Sequence, residues 1–508
     1  MKQIYTLILA SIISLGAFAQ FNSSLIIGGN AQKNGLTEFL GPLDNSQIYW
    51  EGGEYAKYSQ APMISGSNLV VGRRTAADNI HEANIVCYNV YTGAELWRTQ
   101  LPASPTSDDY DKISGINDGV VYATRANGVT KPAKLVALSL TDGSLLWESV
   151  DTIMSTSSES VNFNSNGDII VIRDQHSYKC ISKEDGSTLW TLDKEIASGG
   201  YCSTMTVFGN TGYYFDRAAG YATVITACDL TTGDSLRSSN AIMYGDAWTQ
   251  QNMGLTIGID GTIYAHTSEG NIFSLKDDGT NLTPNWFAPA SIFITRGNFA
   301  VGPDSSLYSV TRTGKLSRIR PSDGVIIDSS ATTIFTNSYY TNGDPAINQN
   351  PFMAVGSDGV LYLSSMQYPD YRLAAYTPNL ELIWEETANS DSDDLWGIIG
   401  LALGDSVLAV NAKGTMIRAY KGRALTTTSV QKKEVLNNNL NIYPNPSTGE
   451  FFVENIDNSN INIYDITGRK VNAQINTIGK QARINITNNP AGIYFIKINT
   501  ETYKIVKK

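Results

Sequence analysis

The stretch LVALSLTDGSLLWES, from Leu135 to Ser149, returns along most of this chain. Near-copies begin at Ile85, Tyr178 and Val224, and looser ones at Gly270, Gly314 and Tyr371. Each copy alternates apolar and polar residues, breaks at a glycine turn, and resumes with apolar positions and often Trp. That is a hairpin of two period-two strands. Gly93, Gly143, Gly186, Gly233, Gly279 and Gly324 mark the turns, with Ser46 and Leu380 at the same point of two further units. In chain order the steps are 47, 50, 43, 47, 46, 45 and 56 residues.

A second hairpin lies between successive copies, in runs such as INDGVVYAT, GIDGTIYAH and GSDGVLYLS, eight of them in all. A period of about 45 residues holds four short strands with their loops, which is one blade of a β-propeller. Separate hairpins would leave open sheet edges, so closure into a ring is favoured. The last unit, 395–422, has only three strands, and the early run SQIYWEG (Ser46–Gly52) supplies a fourth. The expectation is an all-β chain: an eight-bladed propeller, favoured over seven blades, closed by an N-terminal strand.

The repeat resembles the pyrroloquinoline-quinone-type (PQQ-like) propeller repeat, whose hallmark is an A-L-D-x-x-T-G-x-x-x-W run. The opening GGNAQKNGLTEFLGP is similar to the lead-in of that superfamily. The full form is kept at Trp97, Trp147, Trp190 and Trp384. In the family this Trp docks between neighbouring blades. Arg237 and Asp328 stand at the Trp position in two units, which predicts weaker seams there.

The chain ends speak to location. Lys2, an apolar run and Ala17-Phe18-Ala19 make the three-part pattern of a secretory signal peptide, cut between Ala19 and Gln20. No later stretch is apolar for long enough to form a transmembrane segment. From Leu440 the composition changes to alternating strands with Pro and Gly turns, which predicts a small β-sandwich. The boundaries expected are a signal at 1–19, a propeller at 20–425, a linker at 426–439 and a tail at 440–508. The tail resembles the type A sorting domain of the type IX secretion system of Bacteroidetes. The matching residues are Tyr443, Pro444, Asn445, Pro446 and Gly449, then Gly468 and Arg469, then Gly492 and Tyr494, and finally Lys507 and Lys508. That resemblance implies the secretion machinery as partner, tail removal, and a secreted or cell-surface location.

Net charge is −11, while the residues from Val430 onward are basic, ten against six. The acidic body argues against nucleic acid as a partner. Four cysteines are too few to frame a secreted chain of 508 residues with disulfides. Cys87 and Cys180 fall where sister copies have Ala, so they read as small core residues.

Chemistry is harder to find. Quinone-dependent dehydrogenases share the repeat, but their vicinal Cys pair and the haem motif C-x-x-C-H are absent, so PQQ has no visible seat. Similarity of fold does not carry activity across. His81, His176 and His266 fall in loops of alternate units, too far apart for one metal. The remaining candidates are two acidic runs on connectors of neighbouring units, Asp108, Asp109 and Asp111 with Asp391, Asp393 and Asp394, beside Trp396. Such oxygens could hold Ca²⁺; as loops they also read as a solvated rim. The sequence points to a binding or scaffolding module with an unidentified protein or glycan ligand. A secreted enzyme using the propeller channel, acting on polysaccharide or as a quinone-type dehydrogenase, is the alternative.

Overall fold

Interior strands of this chain are buried at nearly every position, and that decides how they pack. In the computed structural model Ser177–Ile181 is buried at all five residues and Leu307–Val310 at all four. A strand buried on both faces needs a packed layer against each. Strict alternation therefore fails for these strands and holds for outer ones such as Thr188–Asp193, where every second residue is exposed.

The structure describes residues 29–52, 62–74, 83–101, 109–127, 132–154, 161–174, 177–193, 204–218, 222–240, 243–244, 255–266, 271–288, 299–311, 313–334, 352–365, 370–389, 400–411, 417–425, 441–454, 461–465, 469–478, 480–498 and 501–508. They fall in two compact units, Met1–Leu425 and Thr426–Lys508. All regular structure among the described residues is β.

In the first unit these residues form eight antiparallel sheets. Numbered here in chain order, they span 63–100, 109–154, 162–193, 206–244, 256–288, 300–333, 352–389 and 401–421. Sheets 1 to 7 have four strands each in sequence order, and sheets 2 and 4 add a two-residue strand beside the third. Sheet 8 takes its fourth strand from Ile48–Gly52, which pairs antiparallel with Ile417–Lys421, Glu51 opposite Arg418. A buried cluster joins each sheet to the next in the series. Another joins sheet 8 to sheet 1, with Ala402, Val407, Ala409 and Ile417 against Ile64, Leu69, Val71 and Val86.

The repeated Trp and the repeated turn glycine form one device. Trp190, on the outer strand of sheet 3, donates its indole N–H to the Leu230 carbonyl of sheet 4 at 3.0 Å. Its ring covers Gly233, whose φ is +80°; a Cβ there would lie 2.7 Å from the indole. Glycine is thus required twice, for the left-handed turn and for the approach of the ring. Trp50, Trp97 and Trp147 make the same pair of contacts with Val90 and Gly93, Leu140 and Gly143, and Lys183 and Gly186. Trp286 does so with Pro321 and Gly324, although the longer turn of sheet 5 displaces it from the repeat spacing. Trp384 donates to Pro42 at 3.0 Å.

The two units without Trp are sealed by other chemistry. Arg237 reaches across to Asp277 of sheet 5 in a two-pronged ion pair, with side chains only 14% and 7% exposed, and Tyr213 donates to the same carboxylate. Among the described residues nothing covers Gly279 there. Asp328 supplies no indole to the next turn, which carries Leu380 at φ +64° in place of glycine. Tyr308 donates to Pro378 across this seam at 3.0 Å.

Cys87, Cys180 and Cys228 are buried free thiols, as expected of core positions, and burial pushes the Cys87 thiol up to about 12. In the second unit, 441–443, 450–454, 474–478 and 481–485 form one sheet and 461–465, 492–498 and 501–507 another. Phe451, Val453 and Ile484 of the first pack with Ile463, Tyr494, Ile496 and Ile505 of the second.

Candidate functional site

The first strands of sheets 4 to 7 end beside the chain's own N-terminal segment. Val207 donates to the Ala31 carbonyl at 3.0 Å, Ile257 to Gln32 at 3.0 Å, Val301 to Asn34 at 2.9 Å and Val355 to Gly35 at 2.8 Å. One short stretch therefore satisfies an inner-strand N–H of four successive sheets. It continues through Phe39, which accepts from Ser357, and Leu40, which accepts from Arg423, before entering the strand that completes sheet 8. Asn34 is fully buried and ties the segment down, donating to the Ile257 carbonyl at 2.9 Å. Gly35 (φ +70°) lies so close to the Met353 carbonyl that a Cβ would fall at 2.6 Å.

Lys33 sits in this segment with no exposed surface. Burial pushes its ammonium well below the ordinary lysine pKa. A lysine in a polar run reads from sequence as solvated, so nothing local announced this.

The sheet 8 seam carries the other concentrated polar group. Arg418 pairs with Glu51 of the N-terminal strand and with Glu386 of sheet 7, and Tyr420 donates to Glu386. This cluster links three segments of remote sequence. It is half-buried, with one guanidinium shared between two carboxylates and a phenol donating to one of them, so its chemistry is that of a latch.

Asp108, Asp391, Asp393, Asp394 and Trp396 lie outside the described residues, as do His81, His176, Ala19 and Gln20. Asp109 and Asp111 begin the strand Asp109–Asn117, opposite Asn127 and Arg125, and not a connector as the sequence suggested. His266 likewise ends a strand, stacked on Phe299 with ring centres 4.2 Å apart, its Nε2 3.0 Å from the Ser309 hydroxyl. Among the described residues no three His, Cys, Asp or Glu side chains group as metal ligands.

In the tail the motif residues converge. Asn445 accepts from the Val506 N–H and donates to the Lys504 carbonyl, both at 2.9 Å. Ser447 donates its N–H to Val506 at 2.9 Å and accepts from Lys508 at 2.8 Å. The loop of Tyr443, Pro444, Asn445 and Pro446 thereby covers the edge of the last strand. Lys507 is only 9% exposed, its ammonium donating to the Thr487 carbonyl at 2.8 Å and to that of Asn489. A Cβ on Gly449 would fall 2.7 Å from Thr487 and 3.0 Å from the Lys507 side chain. Tyr494 donates to Pro490 at 2.6 Å, bracing the turn before Gly492. Arg469 pairs with Asp465 at 3.1 Å; Gly468 lies outside the described residues.

Residues 441–508 match the secretion system C-terminal sorting domain. The type IX tail is thus established, and with it a route to the cell exterior. Residues 131–283 match the model described as outer membrane protein assembly factor BamB, a PQQ-like repeat. Among solved structures, quinohemoprotein alcohol dehydrogenase from Comamonas testosteroni is similar at 12% identity over 80% of this chain and 82% of that one, with a TM-score of 0.52. The C-terminal WD40 domain of Sif2 is similar at 11% identity over 74% and 98%, with a TM-score of 0.50. BamB from Moraxella catarrhalis aligns at 13% identity over 70% and 82%, with a TM-score of 0.36. The likeness to the first two is one of propeller-type fold alone. The curated proteins contain no match to the chain. No helix among the described residues is long and apolar enough to cross a membrane.

Proposed function

We propose that this chain is a secreted or surface-displayed binding and scaffolding protein, an eight-bladed β-propeller exported by its sorting tail. The match of residues 441–508 to the sorting domain carries the export part of this reading. The sequence of the N-terminus fits a signal peptide cut after Ala19, which would deliver the chain to the periplasm before tail-directed passage of the outer membrane. The eight sheets, and the cluster between the last and the first, support a ring of eight blades closed by Ile48–Gly52. Residues 31–35 occupy the inner-strand ends near the tight turns. This supports a ligand surface at the opposite ends of these strands.

The test is a binding screen of the exported protein against glycans, small molecules and extracellular proteins, with turnover assays on polysaccharides and on alcohols with added quinone. The reading expects saturable binding without turnover. Sustained turnover of either substrate class would replace it with the enzyme reading.

A further inference from the structure

The outward face of the tail's second sheet joins apolar side chains to unmatched lysines; the first sheet also exposes an aromatic pair, Tyr443 stacked on Phe452, but beside charges that are paired. On this face Tyr464 stands opposite Phe495, Phe495 opposite Lys504, and Ile493 opposite Val506. Ile493 is 39% exposed, while Tyr464, Phe495 and Val506 are half-buried. Lys497, Lys504 and Lys508 are exposed around this apolar row and pair with no carboxylate among the described residues. The first sheet differs. Its Arg483 is neutralised by Glu450 at 2.6 Å, and Tyr443 is bonded to Glu454.

Within the terminal Lys504-Ile505-Val506-Lys507-Lys508 the lysines therefore divide by strand alternation. Lys507 points inward with Ile505 and holds the turn at 487–489, while Lys504 and Lys508 point outward. Asn445 and Ser447 already cover the edge of the last strand, so strand addition is blocked at that edge while the face beside it stays exposed.

We infer that this face, Tyr464, Ile493, Phe495 and Val506 rimmed by Lys497, Lys504 and Lys508, docks on an acidic, partly apolar protein surface of the secretion machinery. Unmatched cations around apolar side chains complement carboxylates around an apolar patch, and such charges set encounter rate and orientation. The inference rests on the tail acting as an export signal.

The experiment expresses the full chain in a bacterium with a type IX system and compares K504E/K508E, R483E and a chain ending at Leu425. The exported fraction is measured, with hydrogen exchange of residues 492–498 as the check on tail folding. The docking face predicts that K504E/K508E lowers the exported fraction about tenfold with exchange unchanged, and that R483E exports normally. Normal export of K504E/K508E, or an equal loss in R483E, overturns the assignment while leaving the export reading intact. Export of the chain ending at Leu425 overturns the export reading itself. Purified full chain is also mixed with phosphatidylglycerol–phosphatidylcholine vesicles. Binding lost in K504E/K508E would show that the face reads lipid and overturn the protein partner; no binding is expected.

Discussion

Replacing Gly233 by Ala separates two demands that the turn glycines meet together. Gly233 and Gly279 are the turn glycines of successive sheets, at φ +80° and +87°, but of the two only Gly233 lies under an indole. Either substitution places an L side chain in the left-handed region at about 1–2 kcal/mol. At Gly233 the new methyl would also stand 2.7 Å from two carbons of Trp190, and nothing lies within 4 Å at Gly279. The ring must move from a site where it is 9% exposed and bonded to Leu230. Overpacking of that kind costs about 1–3 kcal/mol more, so Gly233→Ala is expected to exceed Gly279→Ala by that amount. All eight Trp residues lie between Trp50 and Trp396, so denaturant titration followed by Trp fluorescence reports the first unit alone. In a Trp190→Ala background the cost of Gly233→Ala should fall to that of Gly279→Ala. Equal losses for the two single variants, or an unchanged cost without the indole, would refute the argument.

Asp277→Asn breaks the seal that replaces Trp between sheets 4 and 5, and is expected to destabilise the first unit at neutral pH by about 3 kcal/mol. Burial opposes ionisation of Asp277, but Arg237, Tyr213 and the Gly279 N–H outweigh it and hold the carboxyl below its ordinary pKa. A depressed acid contributes above its unfolded pKa and loses that contribution as pH falls through the folded one. The variant should therefore lose the wild-type protein's extra stability at neutral pH and show a flatter acid limb, read by denaturant midpoints from pH 7 to 3. Lys507→Met removes a buried ammonium from two carbonyls and should destabilise the tail by about 2 kcal/mol. Hydrogen exchange at 487–492 should rise while the Trp-fluorescence midpoint stays fixed; unchanged exchange would show that the clamp carries no weight.

What was legible in the sequence was local. The hairpins, their turn glycines and four of the seam tryptophans follow from spacing within one unit, and the missing strand of sheet 8 follows from counting. Trp286 escaped because a longer turn shifted it three residues from the repeat position. Arg237 looked like a gap, since its partner Asp277 lies in the next unit and nothing near Arg237 advertises it. The path of residues 31–35 across Val207, Ile257, Val301 and Val355 is built from backbone hydrogen bonds over very long separations. Such bonds leave no residue pattern, and the burial of Lys33 is hidden for the same reason. The tail motifs were legible as words, but not their shared purpose of closing one strand edge around Lys507.

Export is expected to depend on the tail, and folding of the first unit is expected not to; one comparison tests both parts. The full chain and a chain ending at Leu425 are expressed in a bacterium with a type IX system, and each is quantified in the periplasm and outside the cell. The account predicts the full chain outside. It predicts the shortened chain in the periplasm, with the Trp-fluorescence unfolding midpoint of the parent. Equal amounts of both chains outside the cell would contradict it.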